Sequence, residues 1–207
     1  SEEAVRGFLE RIILNKYIPS LPTPKQAQFL LEDAKEVLYG GAAGGGKSEA
    51  LLMAALEYVE YDEYRALLLR RNYPELALPG SLLDRSHAWL SNSDAEWLGE
   101  KKTWVFPSGA TLTFGHIDVD IDKYRYQSSE FQYIGFDELT EFKEAQYLFL
   151  FSRLRKTADN PVPLRMRAAT NPTGPGLTWV RKRFVFGEEA KFIPATFRDN
   201  PFLDEGY

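Results

Sequence analysis

The sequence contains no cysteine among its 207 residues and only two histidines. The lack of cysteine excludes disulfide bonds and thiolate metal sites, and it suits a protein of a reducing cytoplasm. No apolar run approaches the roughly 18 residues of a membrane-spanning helix, and the first residues do not resemble a signal peptide. We therefore expect a cytoplasmic protein with no contact to a membrane.

Positive charge does not predominate in the sequence. The 30 acidic residues outnumber the 25 lysines and arginines, which gives a net charge of −5 at pH 7. Because this balance excludes a general attraction to phosphate, any contact with DNA must come from a local basic patch. Arg181-Lys182-Arg183 and Lys101-Lys102 are candidates, although short basic runs are usually solvated surface.

A glycine-rich run is the strongest motif that is present. Residues 41–48 satisfy the P-loop pattern G-x-x-x-x-G-K-[ST]. The apolar segment from Glu36 to Tyr39 predicts a strand before it, and helical spacing from Ser48 to Tyr61 predicts a helix after it. Glycine N–H groups at a helix N-terminus cradle phosphate oxygens, so the run predicts a bound nucleoside triphosphate. The expected contacts are Gly41, Ala42, Ala43, Gly44, Gly45, Gly46, Lys47 and Ser48.

A second apolar strand ends in two carboxylates. Phe131 to Phe136 is followed directly by Asp137 and Glu138, and burying two acids is costly unless a cation meets them. The Mg²⁺ of the P-loop supplies that cation, so Asp137 is expected to hold the metal together with Ser48. Glu138 then acts as general base for the attacking water, and Lys47 reaches the β- and γ-phosphates. The alternative is a surface acid pair that caps the following helix.

The acid directly after Asp137 indicates the NTPase subclass that carries its own catalytic glutamate. In that subclass an additional strand lies between the P-loop strand and the strand that ends at Asp137. The segment from Arg165 to Ala169 predicts such a strand, and Thr170 or Asn171 at its tip would sense hydrolysis at the γ-phosphate. An Asn-Pro pair is also a common turn starter, which is the alternative.

Gln26 precedes the P-loop strand, within Thr23-Pro24-Lys25-Gln26. A glutamine amide can pair with N6 and N7 of adenine, which guanine cannot match. Gln26 is therefore a candidate adenine contact, and a solvated glutamine on a helix is the alternative.

Strands and helices alternate along the rest of the chain. Further strands are predicted over Ala66 to Leu69 and Phe192 to Ala195, and alternation around Pro107-Ser108-Gly109 predicts a β-hairpin. Helices are predicted from the start to near Tyr17 and over Pro24 to Leu31, Glu141 to Leu154 and Leu177 to Phe184. A less regular stretch that reaches to about Lys102 holds an amphipathic piece near Leu83 to Leu90. We predict one α/β domain over residues 1–207. Its fold is a P-loop NTPase of the additional-strand, catalytic-glutamate type, with a mainly parallel sheet flanked by helices and a hairpin insertion.

These motifs together resemble a known family, the ATPase domain of the large terminase subunit of tailed bacteriophages. The resemblance covers nearly the whole chain, in order and at family-like spacing. It lies in Pro24-Lys25-Gln26, the P-loop, the series from Arg70 to Leu76, the strand that ends in Asp137-Glu138, Phe151 to Arg155, Ala168 to Pro172 and Arg198 to Tyr207.

The resemblance implies an ATP-driven motor that assembles as a homo-oligomeric ring on the portal protein. Such a motor works with the small terminase subunit and pumps double-stranded DNA into the prohead in the host cytoplasm. The resemblance supports the nucleotide roles given above, with Gln26 at adenine and Thr170-Asn171 coupling hydrolysis to movement. Family members also carry a C-terminal nuclease domain of the RNase H type, which we expect to be absent from this chain. We find no second cluster of spaced carboxylates for two metals, so we expect no nuclease activity.

An arginine finger from a neighbouring subunit stabilises transition-state charge in some NTPases, by roughly 10³–10⁵ in rate. Arg125, Arg153 and Arg155 are the candidates, while Arg70 and Arg71 can reach the nucleotide of their own chain. The family often has a glycine, and in some members an arginine, just before the strand that ends at Asp137. Here residues 125–130 differ from that pattern, so the finger is not assigned to one arginine. An ordinary solvated salt bridge is the alternative for each.

Two other functions compete with the motor. A helicase-like or other DNA-stimulated remodelling ATPase needs a second nucleotide-facing domain, for which 207 residues leave no room. A slow nucleotide-dependent switch commonly orients water with a glutamine, and Glu138 argues against it. We therefore expect the packaging ATPase, with the helicase-like enzyme as the alternative.

Overall fold

A computed structural model describes residues 1–44 and 46–199. Gly45 of the P-loop and residues 200–207 of the family resemblance therefore lie outside the described residues. In the described part, eight strands form one sheet in the order β3-β4-β5-β2-β6-β7-β1-β8. The strands are β1 (Glu36–Gly41), β2 (Arg65–Arg70), β3 (Glu96–Leu98), β4 (Thr103–Val105), β5 (Thr111–His116), β6 (Tyr133–Asp137), β7 (Arg165–Thr170) and β8 (Lys191–Ala195).

Most of the sheet is parallel, as predicted. Neighbouring strands from β5 to β8 all pair in parallel, whereas β4 runs antiparallel to both β3 and β5. The β4–β5 pair confirms the predicted hairpin. Strand β3 was not predicted, because its three residues are too few to show a period-2 pattern.

Strand β7 occupies the position that defines the expected NTPase subclass. Ala168 pairs with Leu38 of β1 on one side and with Phe136 of β6 on the other. The additional strand therefore lies between the P-loop strand and the strand that ends at Asp137, as predicted. Because these strands are parallel, the last residues of β1, β2, β6 and β7 meet at one edge, called here the carboxyl edge. The opposite edge, where these strands begin, is called the amino edge.

Helices cover both faces of the sheet. Within the described residues the α-helices are α1 (Glu2–Phe8), α2 (Pro24–Leu31), α3 (Lys47–Leu56), α4 (Tyr73–Leu76), α5 (Leu82–Leu90), α6 (Glu144–Phe151) and α7 (Leu177–Val180). Single π-helical turns extend α1 over Leu9–Ile13 and α7 over Arg181–Val185. Short 3₁₀ turns lie at Asp120–Tyr126, Leu139–Glu141 and Phe197–Asp199.

Three predicted helices are shorter than expected. The first, which was predicted to reach near Tyr17, ends with its π-helical turn at Ile13, because the Asn15 side-chain amide donates to the Arg11 carbonyl (2.9 Å). Helix α3 ends at Leu56 rather than Tyr61, because the Tyr64 hydroxyl donates to the Ala55 carbonyl (2.8 Å) and the Asn15 amide donates to the Leu56 carbonyl (3.0 Å). These side chains satisfy carbonyls that a longer helix would use. The apolar pattern continues past Leu56 because the following turn is also buried.

Helix α6 begins at Glu144 and ends at Phe151, inside the predicted limits of Glu141 and Leu154. Glu141 belongs to a separate 3₁₀ turn. Leu154 forms a parallel bridge with Phe131, which takes the chain out of the helix before that residue. Tertiary pairing therefore overrides the local helical pattern at this end.

The core consists of two layers, one on each face of the sheet. Alternate strand residues face opposite layers: Leu68 packs in the layer that contains α3, whereas Leu67 and Leu69 pack in the layer that contains α6. This arrangement explains why the parallel strands read as continuous apolar runs. In the described part of the chain, no helix is both long and apolar enough to cross a membrane.

Candidate nucleotide site

The P-loop leaves β1 at the carboxyl edge and enters α3. Gly41 has φ 143°, and a Cβ there would lie 1.7 Å from the Ala195 carbonyl oxygen of β8. Gly46 precedes α3 in the left-handed region, with φ 68°. Both positions require glycine, the first because of the close strand and the second because of its backbone angle. Gly44 has a positive φ as well.

A cavity of about 360 Å³ lies beside this loop. Its wall brings together residues from the P-loop, from α5 and from the ends of β6 and β7. They are Ala43, Gly44, Gly46, Lys47, Ser48, Glu49, Arg85, Glu138 and Asn171. The P-loop and Glu138 after β6 are far apart in the sequence but lie at one cavity, as their motifs predicted.

Lys47 lies at the first residue of α3 and is 8% exposed. Its ammonium group donates to the carbonyl of Ala42, 2.5 Å away within the same loop. Burial lowers the pKa of Lys47, and the nearby carboxylates of Glu138 and Asp137 act in the opposite direction. A phosphate anion in the cavity would favour the charged form of this lysine.

Asp137 is 2% exposed and uses both carboxylate oxygens. One accepts a hydrogen bond from the Ser48 hydroxyl at 3.0 Å. The other accepts from the Arg70 guanidinium at 2.7 Å, and Arg70 also pairs with Glu75 at 3.3 Å. The hydroxyl and the carboxylate are oxygen ligands of the type that Mg²⁺ prefers, so Ser48 and Asp137 fit the predicted metal.

Glu138 follows Asp137 in a strained conformation. Its backbone lies in the left-handed region (φ 55°, ψ 57°), which is uncommon for a residue other than glycine and clusters at functional sites. Burial, and next the charge of Asp137, raise the pKa of the Glu138 carboxyl, while Arg70, the Asn171 N–H group and Lys47 act against this. A raised pKa suits a general base that works near neutral pH.

The two sensor candidates at the end of β7 point to different surroundings. Thr170 is buried, and its hydroxyl donates to the Asn171 carbonyl (3.0 Å) and lies 2.8 Å from the Thr140 hydroxyl. Asn171 lines the cavity, and its Oδ1 is buried without a hydrogen-bond partner. Of the two, Asn171 lines the cavity, and its side-chain amide also carries the N–H donors that a phosphate oxygen would accept.

Gln26 is neither solvated nor free. It is 2% exposed; its Oε1 accepts from the Thr23 N–H (2.8 Å) and its Nε2 donates to the Gly46 carbonyl (2.9 Å). The solvated alternative is therefore wrong, because Gln26 completes a capping box with Thr23 and braces the P-loop. The adenine contact stays a prediction.

The predicted arginines occupy several places. Arg125 pairs with Asp122 at 2.8 Å, after β5 on the carboxyl edge. Arg153 and Arg155 lie at the amino edge, where the Arg153 carbonyl and the Arg155 N–H bond to Phe131 just before β6. These two arginines therefore lie on the side of the sheet away from the cavity of their own chain, and a role at a neighbour's site stays a prediction.

Arg71 and the acidic segment near the hairpin have structural partners. Arg71 donates to the backbone carbonyls of Asp118 and Glu141. Asp122 accepts from two backbone N–H groups, and Asp120 pairs with Lys143 at 2.9 Å. Across residues 1–44 and 46–199, no group of three or more His, Cys, Asp or Glu residues could hold a metal.

The geometry can be compared with known proteins. A family model described as "Terminase large subunit, T4likevirus-type, N-terminal" matches residues 38–207. The chain belongs to this family. No curated protein sequence matches it.

Solved structures of large terminases share the fold of this large-terminase chain. The large terminase of a thermophilic bacteriophage superimposes with a TM-score of 0.69 at 12% identity, over 90% of this chain and 48% of the other. That of bacteriophage HK97 gives 0.65 at 10% identity, over 96% and 45%. The N-terminal domain of the phi29 DNA packaging ATPase gives 0.58 at 18% identity, over 86% and 97%. The chain thus spans about half the length of the first two. The thermophilic phage protein has also been solved with ATP-gamma-S and with ADP.

Sequence reasoning missed Arg85, which lies on α5 and lines the cavity. Residues from 72 to 102 looked irregular, and α5 was predicted only as an amphipathic piece. A signal was present, since Arg85 lies three residues after Leu82 and next to Ser86, both of which are buried. That spacing places an arginine at the border of a buried helix face.

Proposed function

We propose that this large-terminase region is a Mg²⁺-dependent ATPase that drives double-stranded DNA into a prohead. One observation carries the proposal: the Ser48 hydroxyl lies 3.0 Å from the Asp137 carboxylate, beside the cavity that Lys47 and Glu138 also line. A P-loop next to a metal-binding aspartate and a second carboxylate is the arrangement that phosphoryl transfer to water requires. Family membership supports the packaging role.

Each residue has a separate task in the proposed hydrolysis. Lys47 exchanges the Ala42 carbonyl for the β- and γ-phosphates. Ser48 and Asp137 would hold Mg²⁺, which neutralises phosphate charge when bound. Glu138 takes a proton from the attacking water, and its raised pKa brings it closer to neutral pH.

The finer features of the motor are part of the same proposal. We infer a homo-oligomeric ring on the portal protein, action with the small terminase subunit, and work in the host cytoplasm. Arg125, at the carboxyl edge, is the favoured arginine finger for a neighbouring site, with Arg153 and Arg155 as alternatives. We also propose that this chain does not cut DNA, since Asp120 and Asp122 are committed to Lys143 and to backbone N–H groups.

Phosphate release from ATP tests the enzyme directly. The wild-type chain should release phosphate only with Mg²⁺, and turnover per chain should rise with protein concentration because the site is completed by a neighbour. Mixing Glu138→Gln, which keeps its arginines, with Arg125→Ala should restore some turnover at mixed interfaces. Turnover without Mg²⁺ would contradict the metal assignment, and a flat rate over a hundredfold range of concentration would contradict completion in trans.

A further inference from the structure

Arg85 is the one arginine on the wall of the cavity, among the residues that the structure describes. Its Nε is buried and has no hydrogen-bond partner. Its Nη1 lies 3.7 Å from the Glu49 carboxylate, which is an ion pair without a hydrogen bond. A buried donor that is left unpaired costs free energy, and an anion in the cavity would satisfy it.

The backbone that carries Arg85 is held firmly. Leu82 and Leu90 of α5 are buried at 1% and 0% exposure, and the buried Ser86 hydroxyl accepts a hydrogen bond from the Trp104 indole at 3.0 Å. These contacts fix the helix against the sheet and against α3. The Cα of Arg85 is therefore held at the wall of the cavity, and its guanidinium stays within reach of an anion bound there.

Other arginines at the carboxyl edge are engaged in a different way. Arg70 is bound to Asp137 and Glu75, and Arg71 is bound to two backbone carbonyls. Arg85 combines an unpaired donor with exposure to the cavity. A guanidinium has a planar fork of donors that matches the oxygens of a phosphate group.

We propose that Arg85 binds the terminal phosphate of ATP held by its own chain, and so makes the site prefer ATP over ADP. This inference rests on the proposed function. Arg85 lines the same cavity as Glu138 and Asn171. In the proposed function, water attacks the terminal phosphate at this part of the wall, so the terminal phosphate is the part of ATP that lies near Arg85. Glu49 serves as the counter-ion of Arg85 until the nucleotide arrives.

Isothermal titration of the Mg²⁺ complexes of ADP and of AMP-PNP, a non-hydrolysable ATP analogue, tests this role without turnover. Arg85→Ala should weaken AMP-PNP binding by roughly 10- to 100-fold, as expected for a lost charge-assisted hydrogen bond, and ADP binding by less than about twofold. Arg85→Lys should retain part of the preference, because it keeps the charge without the fork. Arg6→Ala, on the exposed face of α1, removes the same charge elsewhere and should bind both nucleotides as wild type does.

Glu49→Gln separates phosphate binding from a purely structural ion pair. It removes the pair but keeps the guanidinium, so AMP-PNP should bind at least as tightly as to wild type. The assignment is wrong if Arg85→Ala binds AMP-PNP as tightly as wild type does, or if it loses affinity for AMP-PNP and ADP equally. It is also wrong if Glu49→Gln loses as much affinity for AMP-PNP as Arg85→Ala does. A wild-type chain that binds neither nucleotide would instead contradict the proposed function. Thermal melting without nucleotide checks that each variant is folded.

Discussion

The two edges of the central sheet both gather charged side chains, but they hold them differently. At the amino edge the charges are closely paired: Arg165 meets Glu57 at 2.6 Å, and Glu36 meets Arg183 at 2.7 Å. The fully buried Arg167 donates to four backbone carbonyls. Of these charged residues at the amino edge, in the described part of the chain, only Arg165 has a buried side-chain atom without a hydrogen-bond partner, its Nε.

At the carboxyl edge the polar groups are incompletely satisfied. Lys47 is bound to a carbonyl of its own loop, Glu138 has a strained backbone, and Arg85 and Asn171 keep buried atoms without partners. Such arrangements cost stability and are found where a ligand later supplies the missing contacts. We conclude that the amino edge stabilises the fold, whereas the carboxyl edge keeps polar groups that a ligand can still satisfy.

The largest expected effect is on turnover at the carboxyl edge. Glu138→Gln keeps the shape of the side chain but removes the base, so ATP hydrolysis should slow by about 10²- to 10⁴-fold while Mg²⁺·ATP still binds. Phosphate release and nucleotide titration on the same preparation check both statements. Wild-type turnover in this variant would place the general base elsewhere, and the contrast between the two edges would then not rest on Glu138.

The matching change at the amino edge should act on stability alone. Glu57→Gln removes the negative charge that pairs with both Arg165 and Arg11, and breaking a buried ion pair from one side costs about 3–5 kcal/mol. Urea unfolding measures the loss, and turnover per folded molecule should stay at the wild-type level.

Lys16→Ala is the control for this change. It breaks an exposed pair with Asp94, in which the two side chains are 56% and 50% exposed, and its effect on unfolding should be much smaller. Equal losses in Glu57→Gln and Lys16→Ala would contradict the structural role of the amino edge.

The smallest effect is a pH dependence that comes from Glu138. Because its pKa is raised in the folded state, the folded chain holds this proton more tightly than the unfolded chain does. The stability that the protonated carboxyl contributes is present below the unfolded pKa and is lost as the pH rises through the folded pKa. As the pH rises from the unfolded pKa to the folded pKa, the unfolding free energy of wild type should therefore fall relative to that of Glu138→Gln. A difference that is constant with pH would argue against the raised pKa.

Local pattern predicted much of the carboxyl edge. The P-loop, the acids after β6 and the additional strand each have a signature of a few consecutive residues, so their positions follow from the sequence. Gln26 was assigned to adenine although Thr23-Pro24-Lys25-Gln26 also fits a capping box, which is the contact that the structure has.

Arg85 and the amino edge could not be predicted in the same way. The position of Arg85 depends on the Ser86–Trp104 hydrogen bond, which fixes the rotation of α5. The partners of Glu57 are 46 and 108 residues away along the chain. No local pattern specifies such contacts, because they form only when the layers pack.

Nucleotide-linked stability tests the separation of the two edges most directly. Unfolding free energy should be measured by urea titration without nucleotide and with Mg²⁺·AMP-PNP at 100 times its dissociation constant. Wild type should gain about 2.7 kcal/mol from the nucleotide, and Glu57→Gln should gain the same amount from a lower starting stability. Lys47→Ala should start at least close to wild type and gain nothing at the same nucleotide concentration. A full gain in Lys47→Ala, or no gain in Glu57→Gln at the nucleotide concentration used for wild type, would contradict the account.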